Sequence, residues 1–143
     1  MFKSALLSLQ LSHIFYFLGA IYAWKKGYKE FSLFLALMIF VSMVTHTLEG
    51  SKYETDSLDI FEKLMVIAVS LYGIILFGKY FDELNWVIVF FSLGLWGFAH
   101  AAYRLSEEKR VNFWDYIIAH SIWHLGTGIV LLRALKAAPN LNE

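Results

Sequence analysis

The chain contains no cysteine and only one proline among its 143 residues. Without cysteine it can form neither a disulfide bond nor a thiolate nucleophile, and it cannot build a cysteine-based zinc site. Any bound metal must therefore use histidine, aspartate, glutamate or water as ligands. The single proline, Pro139, lies close to the end of the chain, so no proline interrupts the apolar segments that precede it.

The chain also lacks an excess of charge of either sign. It has 12 Lys and Arg residues and 12 Asp and Glu residues, so its formal net charge is zero. Because no basic stripe is present, nucleic acid is not an expected partner. Lys and Arg residues are divided almost equally between the two sides of the predicted membrane protein, so the positive-inside rule does not determine its orientation.

Apolar segments dominate the sequence, with 59% hydrophobic and 18% aromatic residues. A membrane-spanning helix needs about 20 mainly apolar residues. Five segments approach this length: Ser4–Trp24, Phe31–Leu48, about Leu58–Phe77, Leu84–Tyr103 and about Phe113–Leu132. None shows the sustained two-residue alternation of a barrel strand. The sequence therefore predicts an all-α, polytopic transmembrane helical bundle of about five spans, in one domain of residues 1–143.

The first apolar run is too long for the hydrophobic region of a typical signal peptide, which indicates a retained span. Short, charged connections between the runs predict antiparallel neighbours. Small residues on the last two spans would permit close helix packing, either within the chain or in a homodimer. These residues are Gly94, Gly97, Gly126 and Gly128.

Ionisable residues inside membrane spans are candidates for function. Two pairs of polar residues have the i, i+4 spacing that places side chains on one helix face: Ser42 with His46, and His120 with His124. With antiparallel neighbours, helix five enters from the surface near which His46 and Asp59 lie. His46 is expected to be the shallower histidine, because His124 lies several helical turns into its span.

Three imidazoles can nevertheless converge, from His46, His120 and His124. Three protein ligands plus a water molecule are the composition of a catalytic zinc site. Zinc there activates water and polarises a carbonyl group. Asp59 could move the proton, and the Ser42 hydroxyl could donate to a developing oxyanion. These groups suit hydrolysis of an amide or ester in a lipid that arrives through the bilayer.

Each residue also has a structural interpretation. The two histidines of helix five can form hydrogen bonds between helices. Ser42 can be a small packing residue. Asp59 can cap its helix or pair with Lys63 at i+4. Of the remaining histidines, His100 is interpreted as structural and His13 as a reserve ligand.

The motifs "SMVTH" (Ser42 to His46), "LDIFEKLM" (with Asp59) and "HSIWH" (His120 to His124) resemble those of the CREST superfamily. That group includes alkaline ceramidases, adiponectin and progestin receptors, and hemolysin III proteins. "WHLGTG" is similar to the alkaline ceramidase form of the last motif. The family normally has seven spans, so this chain would be a short member, and its brevity is in keeping with a prokaryotic plasma membrane.

The resemblance implies that His46, His120 and His124 bind Zn²⁺, while Asp59 and Ser42 assist the attack of water. It implies a lipid hydrolase of the ceramidase or phospholipase type, with a membrane lipid as substrate. Two alternatives remain open. One is a non-catalytic membrane receptor or scaffold with a structural zinc site, and the other is a haem protein with axial histidines.

Overall fold

The computed structural model describes residues 10–48, 56–107 and 113–142. Five complete α-helices lie within them: α1 (Ile14–Lys25), α2 (Lys29–Leu48), α3 (Asp56–Phe77), α4 (Glu83–Glu107) and α5 (Phe113–Ala137). A short 3₁₀ helix (Gly78–Tyr80) joins α3 to α4. The all-α prediction is confirmed, because the long apolar runs satisfy their backbone hydrogen bonds within helices.

Four helical segments are long and apolar enough to cross a membrane: Lys29–Leu48, Ser57–Tyr80, Glu83–Ala102 and Trp114–Ala137. They match the second to fifth predicted spans. The first predicted span starts outside the described residues. Within its described part a turn at residues 12–13 interrupts the helix, and the 12-residue α1 follows this turn. Many large apolar side chains on these helices point outward, including Phe40, Ile75 and Phe90. Four helices of this length and apolar composition, with such side chains exposed, indicate an integral membrane protein.

The helices pack through four main pairs, which connect them in the order α3, α2, α1, α5 and α4. The first and last of these five described helices are therefore neighbours, and α1 lies between α2 and α5. Among the described residues, α3 and α4 make no extensive contact, although they are consecutive in the chain. This order brings the beginning of α1, the end of α2 and the middle of α5 together inside the protein.

The turn between α1 and α2 holds the end of α5. The Lys26 ammonium donates to the carbonyls of Leu135 (2.7 Å), Lys136 (3.2 Å) and Ala138. These carbonyls lie at or just beyond the last turn of α5, where they lack helical partners, so a lysine serves as their cap. Gly27 allows the turn through its positive φ of 89°.

The start of α4 is tied to α5 by polar contacts. Asp82 caps α4 by accepting from the backbone N–H of Asn85 at 2.8 Å. Arg133 of α5 donates to Asp82 at 2.6 Å and to the Asn85 side chain at 2.8 Å. The Asn85 backbone N–H and then Arg133 lower the pKa of the Asp82 carboxyl below its ordinary value.

Candidate metal centre

Three buried histidines meet inside the protein: His13 from the turn before α1, His46 from α2 and His124 from α5. Each side chain is no more than 2% exposed. One potential ligand nitrogen of each lies within 4.8 Å of the other two. On a tetrahedral zinc ion with Zn–N bonds of about 2.1 Å, two ligand nitrogens lie about 3.4 Å apart. The three nitrogens would therefore move together by up to about 1.4 Å per pair to bind one ion, and the three residues form what we call the histidine triad.

Buried imidazoles without thiolates suit zinc, copper, iron or nickel, so the donor set fits a metal without identifying it. The rings themselves are close, with centroids 4.2 Å apart for His13 and His124 and 5.9 Å for His13 and His46. Imidazoles are costly to desolvate unless each finds a partner. A shared cation would satisfy all three at once.

His120 adjoins the triad without belonging to it. Its Nε2 lies 3.0 Å from Nε2 of His124, one helical turn away, as the i, i+4 spacing predicts. Its ring is also 4.8 Å from that of His46, centroid to centroid. The three histidines predicted from the sequence are therefore brought together, and the depth difference expected for His46 does not separate it from α5.

His13, the predicted reserve ligand, is a member of the triad. Residues 12 and 13 form a turn immediately before α1, which leaves both Ser12 and His13 buried. Ser12 Oγ lies 2.8 Å from His124 Nδ1, and the His13 ring packs on the same imidazole. In a continuous helix, adjacent residues would diverge by about 100°. The turn therefore allows both residues to contact His124. No residue type at positions 12 and 13 predicts this turn from the sequence.

Two polar residues from α2 and α3 lie beside the triad. Ser42 is 2% exposed, and its Oγ lies 3.0 Å from His13 Nε2. The same hydroxyl donates to Oε1 of Glu62, which is 7% exposed and lies 3.6 Å from His46 Nε2. Ser42 is thus placed as the sequence predicted, next to the histidines, and Glu62 is a site residue that the sequence reasoning missed.

Asp59 lies elsewhere. Its carboxylate forms an ion pair with Lys63 at 2.6 Å, and its side chain is 37% exposed. The structure therefore places Asp59 in the i, i+4 pairing with Lys63, and not among the residues in contact with the triad. A sequence signal for Glu62 did exist: its i−4 and i+4 neighbours are Leu58 and Val66, so it has no cation on its own helix face.

A cavity of about 340 Å³ adjoins the triad. Its polar end contains His13, Ser42 and His124, with Tyr16 and Thr127, whose hydroxyl groups form a hydrogen bond. The rest is lined mainly by apolar side chains of α2 to α5. It extends along α5 from His124 to Ala134, about 15 Å at 1.5 Å per residue. A volume near the lower end of ligand pockets suits a slender apolar group.

The "GTG" step after His124 allows close helix packing beside the triad. A Cβ atom on Gly126 would lie 2.9 Å from Ser92 Oγ of α4, and one on Gly128 would lie 2.6 Å from Phe15 Cβ of α1. These two glycines therefore serve contacts within the chain. By contrast, no atom of the described residues lies within 4 Å of the positions that Cβ atoms would take on Gly94 and Gly97.

Comparisons of the chain with protein-family models, curated proteins and solved structures found no match, so no family is assigned.

Proposed function

We propose that this chain is a membrane-embedded zinc hydrolase that cleaves an amide or ester bond in a lipid. The observation that carries the proposal is the histidine triad, whose ligand nitrogens lie within 4.8 Å of one another at one end of an apolar cavity. A polar centre at the end of an apolar cavity suits a lipid substrate, whose hydrocarbon chain would occupy the cavity beside the metal.

His13, His46 and His124 would hold the metal ion. Zinc with three protein ligands and one open position supplies an activated water molecule and polarises a carbonyl group. The protein itself would bind the acyl or alkyl chain of the lipid in the apolar cavity, which excludes water from the bond that reacts. This positioning is the contribution that the residues of α2 to α5 would make.

The proton released during attack needs an acceptor. In this proposal the role predicted for Asp59 passes to Glu62, because Glu62 is buried beside His46 while Asp59 pairs with Lys63. A carboxylate in such a position is suited to general-base chemistry. The oxyanion-stabilising role predicted for Ser42 is disfavoured, since its hydroxyl hydrogen is already donated to Glu62.

A specific observation favours the non-catalytic alternative. His120 Nε2 lies 3.0 Å from His124 Nε2, so a fourth imidazole stands beside the triad. Four protein ligands close a tetrahedral zinc site, and closed sites are structural. Haem held between His13 and His124 is disfavoured, because a porphyrin must fit between its two axial imidazoles and these two rings have centroids 4.2 Å apart.

The test combines metal analysis with a lipid-release assay on detergent-purified protein. We expect about one zinc per chain, lost in His46→Ala and His124→Ala and retained in His100→Ala, the matched control on α4. Zinc-loaded protein should then release fatty acid from ceramide or phosphatidylcholine in mixed micelles. Stoichiometric zinc without release from either lipid would support the scaffold alternative, and no stoichiometric metal after zinc reconstitution would refute both.

A further inference from the structure

The cavity beside the triad has nearly the same length on each of the three helices that run along it. Its lining residues fall within residues 31–42 on α2 and 66–77 on α3, about 16 Å on each helix at 1.5 Å per residue. On α5 they fall within residues 124–134, about 15 Å. The cavity is therefore a channel parallel to the helices, with the triad at one end only.

The two ends of the cavity differ in polarity. The triad end has the hydroxyl and imidazole groups described above, which suit the ester or amide end of a lipid. The opposite end is closed by Phe31 and Phe77, which are 2% and 1% exposed. Their rings pack edge to face, with centroids 5.1 Å apart and an angle of 79° between the ring planes. This aromatic end suits the terminal methyl group of a hydrocarbon chain.

The cavity also opens sideways, between α3 and α4. Ile67 and Leu71 of α3 and Leu93 of α4 line the cavity and are at the same time exposed on the outer surface. Within the described part of the chain, α3 and α4 make no extensive contact with each other. The inside of the cavity is therefore continuous with the apolar outer surface of the helices, and a hydrocarbon chain can enter from the bilayer without crossing a polar region.

We propose that one hydrocarbon chain of a bilayer lipid enters this cavity sideways between α3 and α4, with its ester or amide end at the triad and its terminal methyl group at Phe31 and Phe77. The inference rests on the proposed function, which requires the reacting bond to lie at the triad, and it adds the direction of the chain. A cavity of about 340 Å³ is near the lower end of ligand pockets, so it suits one chain. The headgroup and any second chain stay outside it.

The direction of the chain selects one leaflet of the bilayer. His46 lies two residues before Leu48, the last residue of α2, and Glu62 lies in the second turn of α3. The triad is therefore nearest the membrane surface at which α2 ends and α3 begins. A lipid chain points from its headgroup toward the middle of the bilayer. A lipid in the leaflet at that surface brings its ester or amide end to the triad, whereas a lipid of the opposite leaflet would bring its methyl end there.

Photolabelling of the wild-type protein tests the direction. The protein is reconstituted into phosphatidylcholine vesicles that contain a trace of phosphatidylcholine with a diazirine either beside the acyl carbonyl or near the terminal methyl group. On illumination the diazirine loses nitrogen gas, and the resulting carbene inserts into a neighbouring C–H bond. We expect the carbonyl-side probe to label Trp123 and the methyl-side probe to label Phe77 or Ala134, all of which are buried and line the cavity. The reverse pattern, or labelling confined to outward residues such as Ile75 and Phe90, would overturn the proposal.

A glycine on α3 allows the closed end of the cavity to be filled. Gly73 lines the cavity, and a Cβ added there would lie 3.4 Å from Cε2 of Phe31, an ordinary contact. We expect Gly73→Leu to reduce methyl-side labelling of Phe77 about tenfold, since the leucine side chain occupies space that the lipid chain needs. The matched control, Gly94→Leu, adds the same side chain where no described atom lies within 4 Å of the new Cβ, and it should label as the wild type does. Equal labelling of Phe77 in Gly73→Leu and the wild type would contradict a lipid chain at this end.

Failure of this inference and failure of the proposed function are distinguishable. Wild-type protein that binds zinc and releases fatty acid, but is labelled only on outward residues, would refute the lipid site in the cavity and leave the hydrolase standing. Wild-type protein that binds no stoichiometric zinc, yet is labelled in the expected order along the cavity, would refute the hydrolase and leave the lipid site standing. Because the order of labelling is read on the wild type, a Gly73→Leu variant that fails to fold does not prevent the test.

Discussion

The ring of His13 packs against the ring of His124, with centroids 4.2 Å apart, although the two residues lie near opposite ends of the chain. The contact exists because α1 packs against α5 as well as against α2. Neighbouring glycines make that packing close, since Gly128 of α5 meets Phe15 of α1. The packing of α1 against α5 therefore completes the candidate metal centre.

Replacement of His13 should weaken zinc binding more than replacement of His120. His13 is a triad member, whereas His120 contacts the triad from outside. We expect His13→Ala to reduce affinity by more than about 100-fold and His120→Ala by about 10–100-fold, the range for outer-shell residues. Competition with a chromogenic zinc chelator measures both. The opposite order would favour the ligand set predicted from the sequence, in which His120 binds the metal.

Substitution of Gly128 by alanine should weaken zinc binding, although Gly128 is not one of the proposed ligands. The new Cβ would lie 2.6 Å from Phe15 Cβ, so α1 must move relative to α5. Overpacking costs about 1–3 kcal/mol. If that strain is relieved by separating His13 from His124, zinc affinity falls about tenfold or more. The matched control is Gly97→Ala, whose new Cβ would have no described residue within 4 Å, and this variant should bind zinc normally. Equal affinity in the two variants would contradict a role for this packing.

Alanine at Gly27 should destabilise the protein without changing the histidines. Gly27 has a φ of 89°, and an added Cβ would lie 2.9 Å from Leu141 Cβ. The left-handed backbone alone costs a residue with a side chain about 1–2 kcal/mol. We expect a lower midpoint of thermal unfolding in detergent for Gly27→Ala and no loss for Gly94→Ala, which has open space around it. A Gly27→Ala midpoint equal to that of the wild type would show that the turn relaxes freely.

The carboxyl group of Asp82 should titrate below its ordinary pKa. The Asn85 backbone N–H is the main cause, and Arg133 adds to it. Because the folded pKa is lowered, the stabilisation is complete above the unfolded pKa and is lost as pH falls through the folded pKa. In Arg133→Gln, an NMR titration should find the Asp82 pKa raised toward its ordinary value, yet still below it, since the Asn85 contact remains. An unchanged pKa would remove Arg133 as a cause.

Several features of the site could be predicted from the spacing of residues along the sequence. The i, i+4 rule placed His120 beside His124, and the antiparallel order of spans brought His46 toward them. Ser42, one turn before His46, was correctly placed next to the histidines. The proximity of these side chains could be predicted because it depends on helix geometry and on the direction of successive spans, and both are encoded by apolar runs and short charged connections.

The buried carboxylate of the site was harder to predict from the sequence than the histidines were. Asp59 and Glu62 are three residues apart on α3, and periodicity alone does not state which faces inward. The structure turns Glu62 toward Ser42 and leaves Asp59 with Lys63. The absence of a local cation for Glu62 was the available signal, and it is a weak one, because a side chain can also find a partner on another helix.

The sequence by itself determined that the chain is helical, apolar enough to cross a membrane, and limited to histidine and carboxylate ligands. Length, periodicity and the absence of cysteine decide these properties residue by residue. Only the tertiary structure decided that His13 joins His46 and His124, and that Glu62 reaches Ser42. Those contacts depend on a turn at residues 12–13 and on which helices pack together, and packing between distant segments leaves no local pattern in the chain.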